Sequence, residues 1–169
     1  MTFSIYKKLG YTAFAVLLAT ALPTHQAQAA DGTGTATAEI ATAITVTEDT
    51  GMDFGIIGAD ASGDTITIDT TGSVSASGAS DLSGSPTAGT FTATGTASSA
   101  VAISFSTGDT LTGPGTAMPL GSFAHDAGGS PAFDGSGNLT FNVGADLTVN
   151  AAQAAGTYSG TYTVTINYN

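Results

Sequence analysis

The chain has 169 residues, with 2 Lys+Arg against 13 Asp+Glu, 23 Gly, no Cys and no Trp, and a formal net charge of −11 at pH 7. Both basic residues, Lys7 and Lys8, precede an apolar run from Tyr11 to Leu22, and Ala27-Gln28-Ala29 follows; this layout is that of a secretory signal peptide over residues 1–29. The 140 residues after it hold every carboxylate and no Lys or Arg, which excludes nucleic-acid binding by phosphate neutralisation and electrostatic attachment to an anionic membrane.

The apolar run is too short to cross a bilayer, and no later stretch is continuously apolar, so no transmembrane segment is expected in the mature chain. Lack of Cys removes disulfides, thiolate chemistry and a lipid on an N-terminal cysteine. Residues 30–169 are therefore expected to form one exported domain, extracellular or on the cell surface, with the periplasm as its route. Its core is small: Leu, Ile, Val and Phe make up 25 of the 140 residues, below the level of about 20% at which a highly charged composition points to disorder. Their placement points the other way, because they recur at strand periodicity.

From Ala36 to Thr47, the apolar Ala36, Ala38, Ile40, Ile44 and Val46 alternate with Thr37, Glu39, Thr45 and Thr47, the pattern of a half-buried strand. Ile66 and Ile68 repeat it between Thr65 and Asp69. Phe91 and Ala93 face one way, and Val101, Ile103 and Phe105 alternate with Ala102 and Ser104. Leu139, Phe141 and Val143 are followed by Leu147 and Val149. Last, Tyr158, Tyr162, Val164, Ile166 and Tyr168 share a face with Gly160, opposite Ser159, Thr161, Thr163, Thr165 and Asn167. Only Ala151 to Ala155 has helical composition, and it is too short to stand alone.

Turns are expected at Gly63-Asp64, Thr71-Gly72, Gly108-Asp109 and Asp134 to Asn138. Pro86, Pro114, Pro119 and Pro131 all fall outside the predicted strands, where proline is tolerated. The segment from Gly108 to Gly137 reads as an elaborated loop or an irregular strand pair. Short strands, Gly-rich turns and no helices define an all-β class: an antiparallel β-sandwich, immunoglobulin-like or Greek-key in outline. An eight-stranded outer-membrane barrel competes, but would need strands of about 9–11 residues with aromatic girdles.

Catalytic motifs are missing. The chain has no Gly-x-Ser-x-Gly elbow, no His-Glu-x-x-His and no phosphate-binding loop with its lysine. His125 and Asp126 are adjacent, but neighbours on an extended chain point to opposite sides, so they make a poor half-triad. No spacing selects a carboxylate pair for glycoside hydrolysis. Calcium is the one cofactor the composition suits, since it takes oxygen ligands. Asp134, Ser136 and Asn138 resemble the start of a calcium loop, but Leu139 stands where the loop needs Gly and Ala145 where it needs Glu. Asp60 and Asp64 flank another glycine turn. No cofactor is expected, with calcium the exception to test.

The alternating Ala/Thr opening, Asp53-Phe54-Gly55, and the closing run from Ala155 to Tyr168 resemble the bacterial family of domain of unknown function 4402. That resemblance implies a secreted β-sandwich without an established activity. The last strand is also similar to that of chaperone-usher fimbrial subunits, with Tyr168 penultimate and Gly156 fourteenth from the end. This second likeness implies a pilin-like sandwich and a non-enzymatic surface subunit that self-associates through edge strands with a periplasmic chaperone as partner. The candidate assembly residues are then Ala36, Ala38 and Ile40 at one end, and Gly156, Tyr158, Tyr162, Val164, Ile166 and Tyr168 at the other. Residues 32–40 would form the first strand of their own sandwich, be a disordered lead-in, or leave the domain and add a strand to a neighbour. The alternative is a monomeric module binding carbohydrate or calcium in the 108–137 loop.

Because residues 30–169 contain no Lys or Arg, trypsin should leave that chain intact even in denaturant; mass spectrometry showing a tryptic cut beyond position 29 would contradict the reading.

Overall fold

The computed structural model describes residues 29–58 and 60–169, so the expected signal peptide lies, but for Ala29, outside the described residues. Residues 39–169 form one compact unit; of the other unit, 1–38, residues 29–38 are exposed and carry no regular secondary structure. The described residues contain no helix. Their strands are β1 (Thr45–Thr50), β2 (Ile56–Gly58), β3 (Asp64–Ile68), β4 (Val74–Ala76), β5 (Asp81–Ser83), β6 (Gly89–Thr94), β7 (Val101–Phe105), β8 (Asp109–Leu111), β9 (Met118–His125), β10 (Asn138–Val149) and β11 (Val164–Tyr168).

All named strand pairs are antiparallel, and β10, at 12 residues, is the axis of the largest sheet. Its first half pairs with β6, from Asn138↔Thr94 to Val143↔Gly89. Its second half pairs with β3, from Ala145↔Ile68 to Val149↔Asp64. β9 pairs across the junction, from Val143↔His125 to Leu147↔Leu120. A residue has one partner on each side, so β6 and β3 share one edge of β10 and β9 takes the other. β1 extends the sheet beyond β6, β4 beyond β3, and β8 beyond β9.

The odd-numbered residues of β10 supply the core on one face, as period two requires. Phe141 and Val143 pack with Phe91, Ala93, Val101, Phe133 and Ile166. Ala145, Leu147 and Val149 pack with Phe54, Ile66, Ile68, Met118 and Leu120. The ribbon of β11 and β7 covers the first cluster, and Ile57 and Leu82 of the β2–β5 ribbon pack on the second. The result is the expected all-β antiparallel sandwich.

Several sequence expectations change. Alternation from Ala36 to Thr47 yields a strand only from Thr45, and Ala36, Ala38 and Ile40 lie outside any strand. Alternation shows that a segment can pair; it does not supply a partner. The 108–137 segment contains the β8–β9 pair, with Asp109↔Leu120, Thr110↔Pro119 and Leu111↔Met118 in register. Pro119 therefore sits in a strand, against expectation. β9 begins pairing with β10 only at Leu120, so no ladder bond to β10 is lost at the proline. Residues 151–152 form a turn, with Ala152 at φ 51°. The predicted turns at Gly63, Gly72, Gly108 and Gly137 all have positive φ, which glycine adopts without Cβ strain.

Gly144 marks the point where β10 passes from β6 to β3. A Cβ there would collide with the carbonyl oxygen of Ile68 and approach the Asp69 carbonyl carbon to 2.9 Å. Those are backbone atoms at the end of β3 and just beyond it, and unlike a side chain they cannot swing aside. Gly144→Ala should destabilise the fold by about 2 kcal/mol or more, measured as a lowered urea midpoint; a midpoint matching the parent chain would refute the close approach.

Candidate functional site

The closing segment runs antiparallel beside residues 100–114, but only its last part is a strand. Gly156 lies against Pro114, and Gly160 against the Thr110 carbonyl. Ser159 and Thr112 exchange backbone hydrogen bonds of 2.9 and 2.8 Å. Tyr158 packs on Gly113 and donates its hydroxyl proton to the Ala154 carbonyl at 2.8 Å. These contacts clamp Gly156 to Gly160 onto β8 and the turn after it. The strand predicted from Tyr158 is thereby shortened to Val164–Tyr168.

Within β11 the backbone has two sides with different fates. The Ser106 N–H donates to the Thr163 carbonyl at 2.9 Å, and the Asn169 N–H to the Ala100 carbonyl at 3.2 Å. Between them the register pairs Thr165 with Ser104 and Asn167 with Ala102. Antiparallel ladders alternate, so the odd residues bond to β7, and the N–H and C=O groups of Val164, Ile166 and Tyr168 point away from it. Among the described residues no strand pairs with that outer side. The side chains of the same three residues pack against the first core cluster.

Tyr162 and Tyr168 secure this ribbon to the sheet. Tyr162 stacks on Phe123 with ring centroids 4.9 Å apart and meets Phe91 edge-on at 6.0 Å. It touches both core clusters, while its hydroxyl is buried without a hydrogen-bond partner. Burial, and then the Glu48 carboxylate, push this phenol up to about 12. Tyr168 donates to the Thr42 carbonyl at 2.6 Å and accepts from the Thr96 N–H at 2.7 Å, with its ring edge on Phe133. Thr42 is fixed further by its own N–H, which donates to the Thr96 hydroxyl at 2.7 Å.

Upstream of Thr42 none of the described residues lies in a strand. Ala36 and Ala38 are exposed, and Ile40 is 95% exposed, the most exposed large hydrophobic residue described. An isoleucine left in water forgoes roughly 2 kcal/mol of burial. The structure thus brings Tyr162, Val164, Ile166 and Tyr168 together, and the Tyr168–Thr42 contact sits two residues from Ile40.

The acidic candidates serve the fold. Asp134 accepts the N–H groups of Ser136 and Asn138, both at 2.8 Å, and caps the turn that was read as the start of a calcium loop. Those bonds hold its carboxyl below the ordinary carboxylate range. Asp126 turns to Asn142, accepting from its backbone N–H at 2.7 Å and its side-chain amide at 2.8 Å, instead of meeting His125. His125 packs among Phe105 and Phe141, its Nδ1 buried without a partner. Among the described residues no three His, Cys, Asp or Glu converge as metal ligands. An open groove of about 580 Å³ beside the β8–β9 pair is lined by Asp109, Ser122 and Asp146 among others.

The sequence marks Asp64 only as a turn residue and a calcium candidate; in the structure it is the one buried charged residue described. Its carboxylate accepts the Ser77 hydroxyl at 2.7 Å, the Gly78 N–H at 2.6 Å and the Ser80 N–H at 3.2 Å. A Gly-Asp pair reads as a turn; the donors come from a segment 13 to 16 residues away that nothing in the local pattern announces.

Fold and edge together define a class, an antiparallel sandwich whose last strand is uncharged and, among the described residues, has no partner on its outer side. The chain belongs to the family described as Domain of unknown function (DUF4402), which matches residues 44–168. No curated protein and no solved structure matches the chain.

The Ser77 hydroxyl leads the donors that lower the Asp64 carboxyl from 3.8 to about 2. A depressed carboxyl contributes stability that is complete above its unfolded value and lost as pH falls through its folded one. Urea midpoints should therefore decline from about pH 4 towards pH 2, and Asp64→Asn should be less stable at neutral pH and lack this part of the acid slope. Parallel acid profiles for the two chains would contradict the assignment.

Proposed function

We propose that the chain is an exported, non-enzymatic structural subunit of the bacterial surface, fimbria-like or fibre-forming, whose copies assemble by strand addition. The observation that carries this reading is the coexistence, among the described residues, of a strand edge with no partner strand and an exposed segment of strand periodicity that lies in no sheet. Unpaired edges are templates for another chain, and folded proteins ordinarily protect them. The lead-in has the opposite need. Its small residues Gly32, Gly34, Ala36 and Ala38 allow close approach to a sheet, and Ile40 offers one large apolar side chain for burial. Each backbone hydrogen bond formed adds about 1 kcal/mol, and burial of the isoleucine adds roughly 2.

A subunit of this kind needs its edge covered during export, which makes a periplasmic chaperone the second expected partner. The acidic surface sets an opposing term, since like charges resist association at low ionic strength. A second reading, a monomeric secreted module that binds carbohydrate or calcium, draws on the groove bordered by Asp109, Ser122 and Asp146. Carboxylates and hydroxyls suit sugar hydroxyls or a cation, but the described lining includes no aromatic platform.

Deleting residues 31–38 separates the readings. Sedimentation of the parent chain at high concentration should reveal polymers, and the shortened chain should fold and remain monomeric, with a supplied peptide of that sequence able to bind it. Undiminished polymers after the deletion, or a parent chain that stays monomeric throughout, would refute strand addition.

A further inference from the structure

The β2–β5 ribbon stands apart from the larger sheet. Its register is Ile56↔Ser83, Ile57↔Leu82 and Gly58↔Asp81, and among the described residues it shares no ladder with another sheet. Two strands of three residues are too few to be stable by themselves. Ile57 and Leu82 lie half-buried on the second cluster, whereas Ile56, on the other face of the ribbon, is 66% exposed. At the Ile56–Ser83 end both strands meet a glycine of positive φ, Gly55 at 76° and Gly84 at 89°. Just beyond them Asp53 and Thr87 exchange backbone hydrogen bonds of 2.9 and 2.8 Å, which fix the chain on the far side of the glycine pair. Two residues that absorb backbone rotation, side by side at one end of a ribbon, make a hinge.

The opposite end, at Gly58 and Asp81, is held differently. Asp81 follows Ser80, and the N–H groups of Gly78 and Ser80 are spent on the buried Asp64 carboxylate, at 2.6 and 3.2 Å, alongside the Ser77 hydroxyl at 2.7 Å. A Cβ on Gly78 would stand 3.0 Å from the Asp64 Cγ, so the glycine is what lets the chain close on the carboxylate. Hydrogen bonds to an ionised acceptor are the strong ones. One side chain of β3 thereby pins the residues that lead directly into the ribbon.

We infer that the β2–β5 ribbon is a lid over the second hydrophobic cluster, hinged at Gly55 and Gly84 and latched by Asp64, and that it opens as a unit while β10 and the larger sheet stay folded. Short ladders with few buried apolar contacts open at lower free energy than the core around them. Opening withdraws Ile57 and Leu82 and lays bare the apolar face they cover. This device is independent of strand addition and of the edge of β11.

Native-state hydrogen exchange of the parent chain, followed by NMR at urea concentrations below the unfolding midpoint, tests this. Protected amides of residues 56–58 and 81–83 should exchange through an opening of weak urea dependence, because little surface is exposed, whereas those of β10 should follow global unfolding. Asp64→Asn should raise the opening equilibrium of the lid about tenfold or more, as loss of hydrogen bonds to an ionised acceptor requires. Ser77→Ala, a milder break that keeps the carboxylate, should raise it several-fold, and it replaces the Asp64 variant should that one not fold, as judged by circular dichroism. Ile166→Val, in the other cluster, should speed exchange in β10 and leave the opening of the lid unchanged, since that contact is intact whether the lid is open or shut. Lid amides that exchange at the rate and urea dependence of β10, or that respond to Ile166→Val as β10 does, would show that no separate lid exists. A lid that opens separately but is moved by neither latch variant would refute the role of Asp64.

Discussion

Gly144 allows one strand to serve two neighbours on the same side. Up to Val143 the edge of β10 belongs to β6, and from Ala145 onward it belongs to β3. The exchange needs the Ile68 and Asp69 backbone to come closer than any side chain permits. Both hydrophobic clusters hang on this arrangement, because consecutive inward residues of β10 enter one and then the other. Tyr162 joins the clusters again from the opposite layer. The two halves are thus coupled at two places, and neither has a complete core alone. Seven-stranded continuity through a single glycine also explains how so few large apolar residues suffice: Phe141, Val143 and Leu147 are each at most 1% exposed.

The polar groups show how a chain folds when the described residues include no Lys or Arg. Carboxylates that would otherwise seek cations take hydroxyls and N–H groups. Thr67 donates to Asp146 at 2.6 Å, Thr92 to Asp49 at 2.6 Å, and Ser106 to Asp109 at 2.7 Å. Asp69 gathers the Thr71 hydroxyl and the N–H groups of Thr71 and Ser73. Hydrogen bonds to an ionised acceptor are stronger than neutral ones. The high Thr and Ser content is therefore the complement of the acidic residues.

Much of the fold was legible because period two is a local signal. Ile66 and Ile68, Phe91 and Ala93, and Phe141, Val143, Leu147 and Val149 of β10 are legible in this way and are buried. Turn glycines were legible for a similar reason, since positive φ leaves few other choices. What failed was non-local. The alternation of Ala36, Ala38 and Ile40 looks the same whether or not an edge lies beside it. The closing run from Tyr158 alternates evenly, yet only contact with Thr110, Thr112 and Pro114 decides where it stops being a strand. β8 and β9 were obscured by prolines and by an irregular register with β10. Half of the candidate edge, Val164 to Tyr168, could be named from sequence; that its outer side is open required the topology.

The hydrogen bond from Tyr168 to Thr42 also has a mechanical meaning. It sets the point where the lead-in departs beside the strand proposed to receive the next one. In a fibre of the proposed kind, tension would enter and leave each subunit within a few residues of this contact. The load would fall on β11 and β7, on the first cluster through Val101 and Ile166, and on the anchorage of Thr42, leaving the second hydrophobic cluster outside its direct line. Such a subunit would take force first on the half of its core that Phe141 and Val143 anchor, with the half built on Leu147 and Val149 held in reserve.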